Sequence, residues 1–145
     1  MATMANQTDL TAAQQKVLDV LHGAGKALSA YDILEKLQQS GIKSPPTIYR
    51  ALEKLATLHL IHRIESLNAY VACNAHVESC GHDGHHHDQH VSQFAICTAC
   101  QTVREISSDE LNRSASKAGA AFLASIDKKV FELSGLCHAC AAKAA

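Results

Sequence analysis

Two C-x-x-C pairs, Cys97/Cys100 and Cys137/Cys140, carry the strongest local chemistry in this sequence. A tight turn aims both thiolates of such a pair at one ion, and two turns brought together make a closed four-cysteine tetrahedron, the structural arrangement for zinc. The 36 residues between Cys100 and Cys137 exceed the usual finger spacing. A helix and a strand would fill that interval, so the zinc staples the ends of one unit. A redox pair of the thioredoxin type needs one such motif in a βαβ setting rather than two. A second, less regular set is His62, Cys73, His90 and Glu105. Imidazole, thiolate and carboxylate together suit zinc, and the thiolate counts against iron(II) or manganese. Each of these four has an ordinary alternative: a strand histidine, a small buried cysteine, a loop histidine and a surface glutamate.

These ligands must be positioned by the elements around them. Residues 74–90 (NAHVESCGHDGHHHDQH) are polar and histidine-rich with no apolar period, which reads as a linker with a low-affinity metal-binding composition. Before it, Thr11 and Gln14 form a capping box opening a helix. Val17, Leu18 and Leu21 fall on one face of that helix, and Gly23 and Gly25 end it. Ser29 with Asp32 opens a second helix, with Ile33, Leu34 and Leu37 inward and Gly41 as its stop. Ser44 starts a third, whose first turn holds Pro45 and Pro46, where a missing N–H costs nothing. Ile48, Leu52 and Leu55 form its inward face.

That leaves Thr47, Tyr49, Arg50 and Lys54 on the outer face and N-terminal turns, the part of a recognition helix that meets base edges. Arginine forks onto guanine or grips a phosphate, and threonine and tyrosine offer hydroxyls and contact with thymine methyls. Taken alone, the helix fits a solvated face equally well. Residues 60–66 (LIHRIES) and 69–73 (AYVAC) then read as a hairpin joined at Leu67-Asn68. It brings His62 and Cys73, eleven residues apart, side by side. Three compact helices and a hairpin make a winged helix, which favours DNA binding over the solvated face.

After the linker, residues 91–97 (VSQFAIC) and 102–106 (TVREI) read as strands bracketing the first cysteine pair. Ser107 with Glu110 gives a capping box for a helix with Leu111, Ala115, Ala118, Phe122 and Ile126 on its apolar face, and residues 129–133 a third strand. A short sheet with one helix leaves an apolar face and an open edge, most simply covered by a second copy. The expected fold class is therefore α+β: a winged helix-turn-helix DNA-binding domain (1–74), a His-rich hinge (75–90) and a small α/β dimerisation domain with a structural zinc (91–145).

Composition limits the alternatives. At 145 residues with 47% hydrophobic content and no Trp, two units of about 70 residues would each have a thin core, which a metal or partner subunit relieves. The polar N-terminus has no signal pattern, and no apolar run approaches the roughly 20 residues a membrane span needs. Paired cysteines in a reducing compartment read as metal ligands, so the expected location is cytoplasmic. The net charge of −1 hides an uneven distribution: residues 1–72 hold seven Lys/Arg and six Asp/Glu, and residues 73–145 hold six and eight. Lys43, Arg50, Lys54 and Arg63 face the single acid Glu53 within residues 42–63, a patch sufficient for phosphate contact.

The stretches SPPTIYRAL (44–52) and HRIESLNAYVAC (62–73), with the paired CTAC and CHAC, resemble the ferric-uptake-regulator (Fur) superfamily of bacterial metal-sensing repressors, most closely its zinc-sensing branch. The resemblance covers nearly the whole chain. It implies a homodimer that binds AT-rich palindromic operator DNA when metal-loaded, with no small-molecule substrate and no membrane partner. It assigns Cys97, Cys100, Cys137 and Cys140 to a structural zinc and His62, Cys73, His90 and Glu105 to a regulatory zinc, two ions per subunit. Tyr49 and Arg50 match recognition-helix residues and Tyr31 a further DNA contact, with Lys43, Ser44, Thr47 and Lys54 beside them. Many iron and manganese sensors carry His-His-Asp-His just before the first cysteine pair. Here His86-His87-Asp88 is followed by Gln89, and His90 lies seven residues before Cys97. Cys80, His82, His85, His86 and His87 have no certain counterpart, and offer either a weak third zinc site or solvated linker.

The function implied is zinc-responsive repression of zinc-uptake genes: zinc shifts the population toward a dimer whose recognition helices fit successive major grooves. A sensor of iron, manganese or peroxide is the nearest alternative, opposed by Cys73. A zinc enzyme would keep an open coordination position, and neither H-E-x-x-H nor H-x-E…P-C-x-x-C occurs. A zinc-storage protein would bind no DNA under any metal condition.

Overall fold

The computed structural model describes residues 10–73 and 90–144, and the chain divides into two compact units, Met1–Cys73 and Asn74–Ala145. Unit 1 opens with α1 (Ala12–Ala24), whose N-terminus carries the full Thr11/Gln14 capping box. The helix runs through Gly23 and ends at Gly25, which takes the left-handed conformation (φ 64°) that a glycine adopts without a Cβ clash. α2 (Ala30–Leu37) is capped reciprocally by Ser29 and Asp32 and runs into a short 3-10 turn that Gly41 closes. α3 (Pro45–Thr57) has prolines in its first turn as expected, although the Ser44 side chain makes no capping hydrogen bond.

The hairpin consists of β1 (Ile61–Ile64) and β2 (Ala69–Ala72), antiparallel with His62 opposite Val71. Its connection is longer than a two-residue turn: a 3-10 turn spans Glu65–Leu67, and Asn68 is left-handed. Asn is one of the few residues that tolerates this, and its Oδ1 accepts from Arg63 (3.1 Å). An isolated, single-residue rung joins β2 from the α1–α2 connection, because Leu28 and Tyr70 exchange both backbone bonds (2.9 and 2.8 Å). One rung has no periodicity, so the sequence alone does not reveal it. Val17, Leu21, Ile33, Ile48, Leu52, Leu55 and Ile61 are buried together as the core of this unit. At about 1.5–3 kcal/mol per buried aliphatic side chain, this cluster dominates its stability.

Unit 2 contains β3 (His90–Cys97), β4 (Val103–Glu105), α4 (Asp109–Gly119), β5 (Lys128–Gly135) and α5 (His138–Ala144). The sheet order is β4-β3-β5, with β3 antiparallel to β4 and parallel to β5. A parallel pair needs a crossover, and α4 lies within it. β3 begins at His90, so the strand takes up the residue expected to end the hinge.

Buried Gln93 fixes the start of α4. Its Oε1 accepts the Ser108 N–H (2.9 Å), and its Nε2 donates to the Ser108 carbonyl (3.1 Å). This holds Ser108 extended, so the cap is Ser108, accepting from Leu111 N–H, rather than the expected Ser107 with Glu110. The helix is also shorter than its apolar pattern suggests. It stops at Gly119, where the chain tightens into shorter turns (Phe122 N–H to the Gly119 carbonyl, 3.0 Å), and Ile126 returns against that glycine: a Cβ there would lie 2.9 Å from Ile126 Cδ1. Ala118 is exposed, Phe122 lies past the helix and is 93% exposed, and no α4 residue is fully buried. Lys129 is buried instead, its ammonium donating to Asn112 Oδ1 (2.7 Å) and to Ser116 Oγ on α4. Among the described residues, no helix is long and apolar enough to cross a membrane.

Candidate metal centres and nucleic-acid interface

Unit 2 gathers all four paired cysteines. Cys97 closes β3 and is buried. The chain then reverses through a turn in which Gln101 N–H bonds the Cys97 carbonyl (3.0 Å) and Gln101 is left-handed (φ 61°). Thr98 N–H donates to the Gly135 carbonyl (2.8 Å), anchoring the end of β5 beside this turn. Cys137 follows and caps α5: its sulfur accepts the Cys140 N–H (3.4 Å), while its own N–H donates to Cys97 Sγ (3.4 Å). The second pair therefore sits at a helix start rather than in a free turn.

All four sulfurs lie within 4.8 Å of one another, with Cys100 and Cys137 3.9 Å apart. A tetrahedron with Zn–S near 2.3 Å has sulfurs about 3.8 Å apart, so these thiols are close to ligating positions. Their ionisation points the same way. Backbone N–H groups of Cys100 and Cys137 bring Cys97 down to about 6, and the Thr102 hydroxyl lowers Cys100. Cys140 is pushed up to about 12 by hydrogen bonding with Cys137, Cys100 and Cys97. The first thiolate forms readily and the last is resisted by its neighbours, so a divalent cation is what full ionisation of the set requires. Thr102, whose Oγ1 is 3.1 Å from Cys100 Sγ, is not singled out by residue spacing; its only sequence signal is a hydroxyl two residues past a cysteine ligand.

In unit 1, Cys73 follows β2 and extends the ladder through its N–H to the Leu60 carbonyl (3.0 Å). Val71 faces His62 in the register, and side chains two apart share a face, so Cys73 joins His62. A ring nitrogen of His62 and the Cys73 sulfur lie within 4.8 Å, and His62 Nε2 is buried. A borderline base and a soft one at this separation fit a zinc ion and need further donors to complete it. His90 and Glu105 belong to unit 2, at the start of β3 opposite Lys128 and the end of β4 opposite Phe94. Cys80, His82, His85, His86 and His87 lie outside the described residues.

The remaining residues form one surface of unit 1. With Ile48, Ala51, Leu52 and Leu55 turned inward, α3 exposes Tyr49, Arg50 and Lys54. Lys43 and Ser44 are exposed just before it, and Thr47 is half-buried. Tyr31, 73% exposed on α2, joins them across a shallow apolar notch lined by Ala30, Tyr31, Leu34, Pro45, Ile48 and Tyr49. Hydroxyls, an arginine and lysines on a helix with its apolar face buried make a surface suited to phosphates and base edges.

The fold and these sites define a winged helix joined to a small α/β unit, with metal-ligand chemistry in both. Residues 5–130 match the Ferric uptake regulator family, and the chain belongs to that family. It is 35% identical over 138 residues to the Zinc uptake regulation protein of Escherichia coli (strain K12), covering 90% of this chain and 72% of the relative. It resembles a zinc uptake regulator solved in complex with zinc and DNA, with a TM-score of 0.77, 32% identity and coverage of 94% and 86% of the two chains. Holo XcZur gives a TM-score of 0.74 at 32% identity, covering 92% of this chain and 86% of that one.

Proposed function

We propose that this protein is a zinc-responsive transcriptional repressor that binds operator DNA as a zinc-loaded homodimer and represses zinc-uptake genes. The observation carrying the metal half of this reading is the four-cysteine cluster, whose sulfurs lie within 4.8 Å of one another. Likeness to a zinc uptake regulator complexed with zinc and DNA supports the other half. Cys97, Cys100, Cys137 and Cys140 would hold a structural zinc, and His62, Cys73, His90 and Glu105 a regulatory one. The hairpin, which puts Cys73 on the same face as His62 with their ligand atoms within 4.8 Å, supports the second set. When bound, zinc supplies a divalent charge that neutralises thiolates and fixes ligand directions. The operator is an AT-rich palindrome read by Tyr31, Tyr49 and Arg50, with Lys43, Ser44, Thr47 and Lys54 serving the same surface. The domain assignment is 1–74 for DNA, 75–90 as hinge and 91–145 for dimerisation.

The regulatory step is linkage: ions that bind the DNA-competent arrangement more tightly move the population toward it, with couplings of about 1–3 kcal/mol per site. Repression is steric occupation of the promoter, in the cytoplasm. The protein acts as a regulator rather than an enzyme, since a closed set of four thiolates leaves no position for a reacting water. The test is operator binding followed against buffered free zinc, iron(II) and manganese, with zinc counted per subunit. Tight binding in zinc alone, with about two ions per subunit, supports the reading. A response to iron or manganese instead makes it a sensor of another metal, and zinc uptake without any DNA binding makes it a store.

A further inference from the structure

The four sulfurs of unit 2 differ in what surrounds them. Cys97 and Cys137 each receive a backbone N–H, which any residue at those positions would supply. Cys100 is exposed and, besides the Thr102 backbone N–H, meets a side-chain hydroxyl, Thr102 Oγ1, at 3.1 Å. In a free thiol the S–H donates to that oxygen. A ligating thiolate has no proton to give, so the hydroxyl rotates and donates to sulfur, and a hydrogen bond to an ionised acceptor is the stronger kind. The hydroxyl is also held in place: the Thr102 carbonyl accepts the Cys97 N–H (2.9 Å), which ties its backbone to the first ligand of the set.

We infer that Thr102 is a positioning residue of the metal centre, its hydroxyl orienting the exposed Cys100 thiolate and lowering its reactivity. This rests on the reading of the four cysteines as a zinc site. The thiolate is the reactive form of cysteine, and the exposed member of the set is where a competing chelator or electrophile arrives first. Outer hydrogen bonds of this kind typically govern metal retention by about 10–100-fold.

The test uses the zinc-loaded full-length homodimer of the parent protein, Thr102→Val, Thr102→Ser and Thr98→Val. Thr98 is a matched control whose hydroxyl donates to the Gly135 carbonyl (3.3 Å). Zinc transfer to a chromophoric chelator is timed, and the sulfur-to-metal charge-transfer band is recorded after cobalt(II) substitution. Thr102→Val is expected to transfer zinc about tenfold faster and to move the band to longer wavelength, because a sulfur without its donor gives up charge more easily. Thr102→Ser should restore both, and Thr98→Val should change neither. Should Thr102→Val not fold, Thr102→Ala removes the same hydroxyl and is judged by the same criteria. Parent-like rate and band in the variant lacking the hydroxyl, or a serine variant as impaired as valine, would overturn the inference. A Cys97→Ser protein that keeps its full zinc count would instead overturn the zinc reading itself.

Discussion

Under the proposed assignment, single side chains divide between those that fold the protein and those that read a signal. Cys97→Ser should lose one zinc per subunit and destabilise unit 2, visible as a lower zinc count and an earlier melting transition. Cys73→Ser should leave a folded dimer whose operator binding no longer tightens with zinc; retention of the full zinc response would sink the regulatory assignment. Protonation acts on the same groups. Zinc binding at the cysteine set must expel at least the Cys140 proton, since that thiol is held up to about 12. Retention therefore weakens as pH falls, and calorimetry in buffers of different ionisation enthalpy should detect proton release. Asp32 behaves differently. Its carboxyl is lowered from 3.8 by the Ser29 hydroxyl and N–H, so its contribution is present above that value and lost as pH falls through the folded value. Ser29→Ala should cost about 1 kcal/mol by denaturant unfolding at neutral pH.

At the scale of elements, the winged helix was largely legible from residue order and unit 2 less so, for physical reasons. In unit 1 the caps at Thr11 and Ser29, the prolines of α3 and the stripe of Ile48, Leu52 and Leu55 all act locally, and the folded chain keeps each of them. In unit 2 the start of α4 is set by Gln93, fifteen residues earlier, and Ile126 returns against its last residue, Gly119. Neither contact shows in the helical periodicity, so the pattern placed the cap at Ser107 and extended the helix through Ile126. The cysteine spacing announced one site, while the hydroxyl beside it emerged only with side-chain positions. Gln93→Leu tests the pinning: it strips both partners from the Ser108 backbone and should destabilise unit 2 by about 1–3 kcal/mol, with α4 exchanging amide hydrogens faster.

For the molecule as a whole, the apolar side chains that unit 2 leaves outside matter most. Phe122, Leu123, Leu133 and Leu136 are exposed, and β4 and β5 are both edge strands. A second subunit covering Leu133 would bury surface that the unit cannot cover alone. Leu133→Asp is therefore expected to shift the dimer toward monomer in sedimentation and to weaken operator binding with it; an unchanged dimer would put the interface elsewhere. A last consequence comes from β3, one unbroken strand with His90 at its first position and Cys97 at its last. Under the proposed ligand sets, the staple and the gauge share a single rod. With those sets, emptying the cysteine end would slacken the support from which the histidine end works, and a newly made chain would be deaf until its permanent ion is in place. Such a protein would report surplus zinc only after its own needs were met.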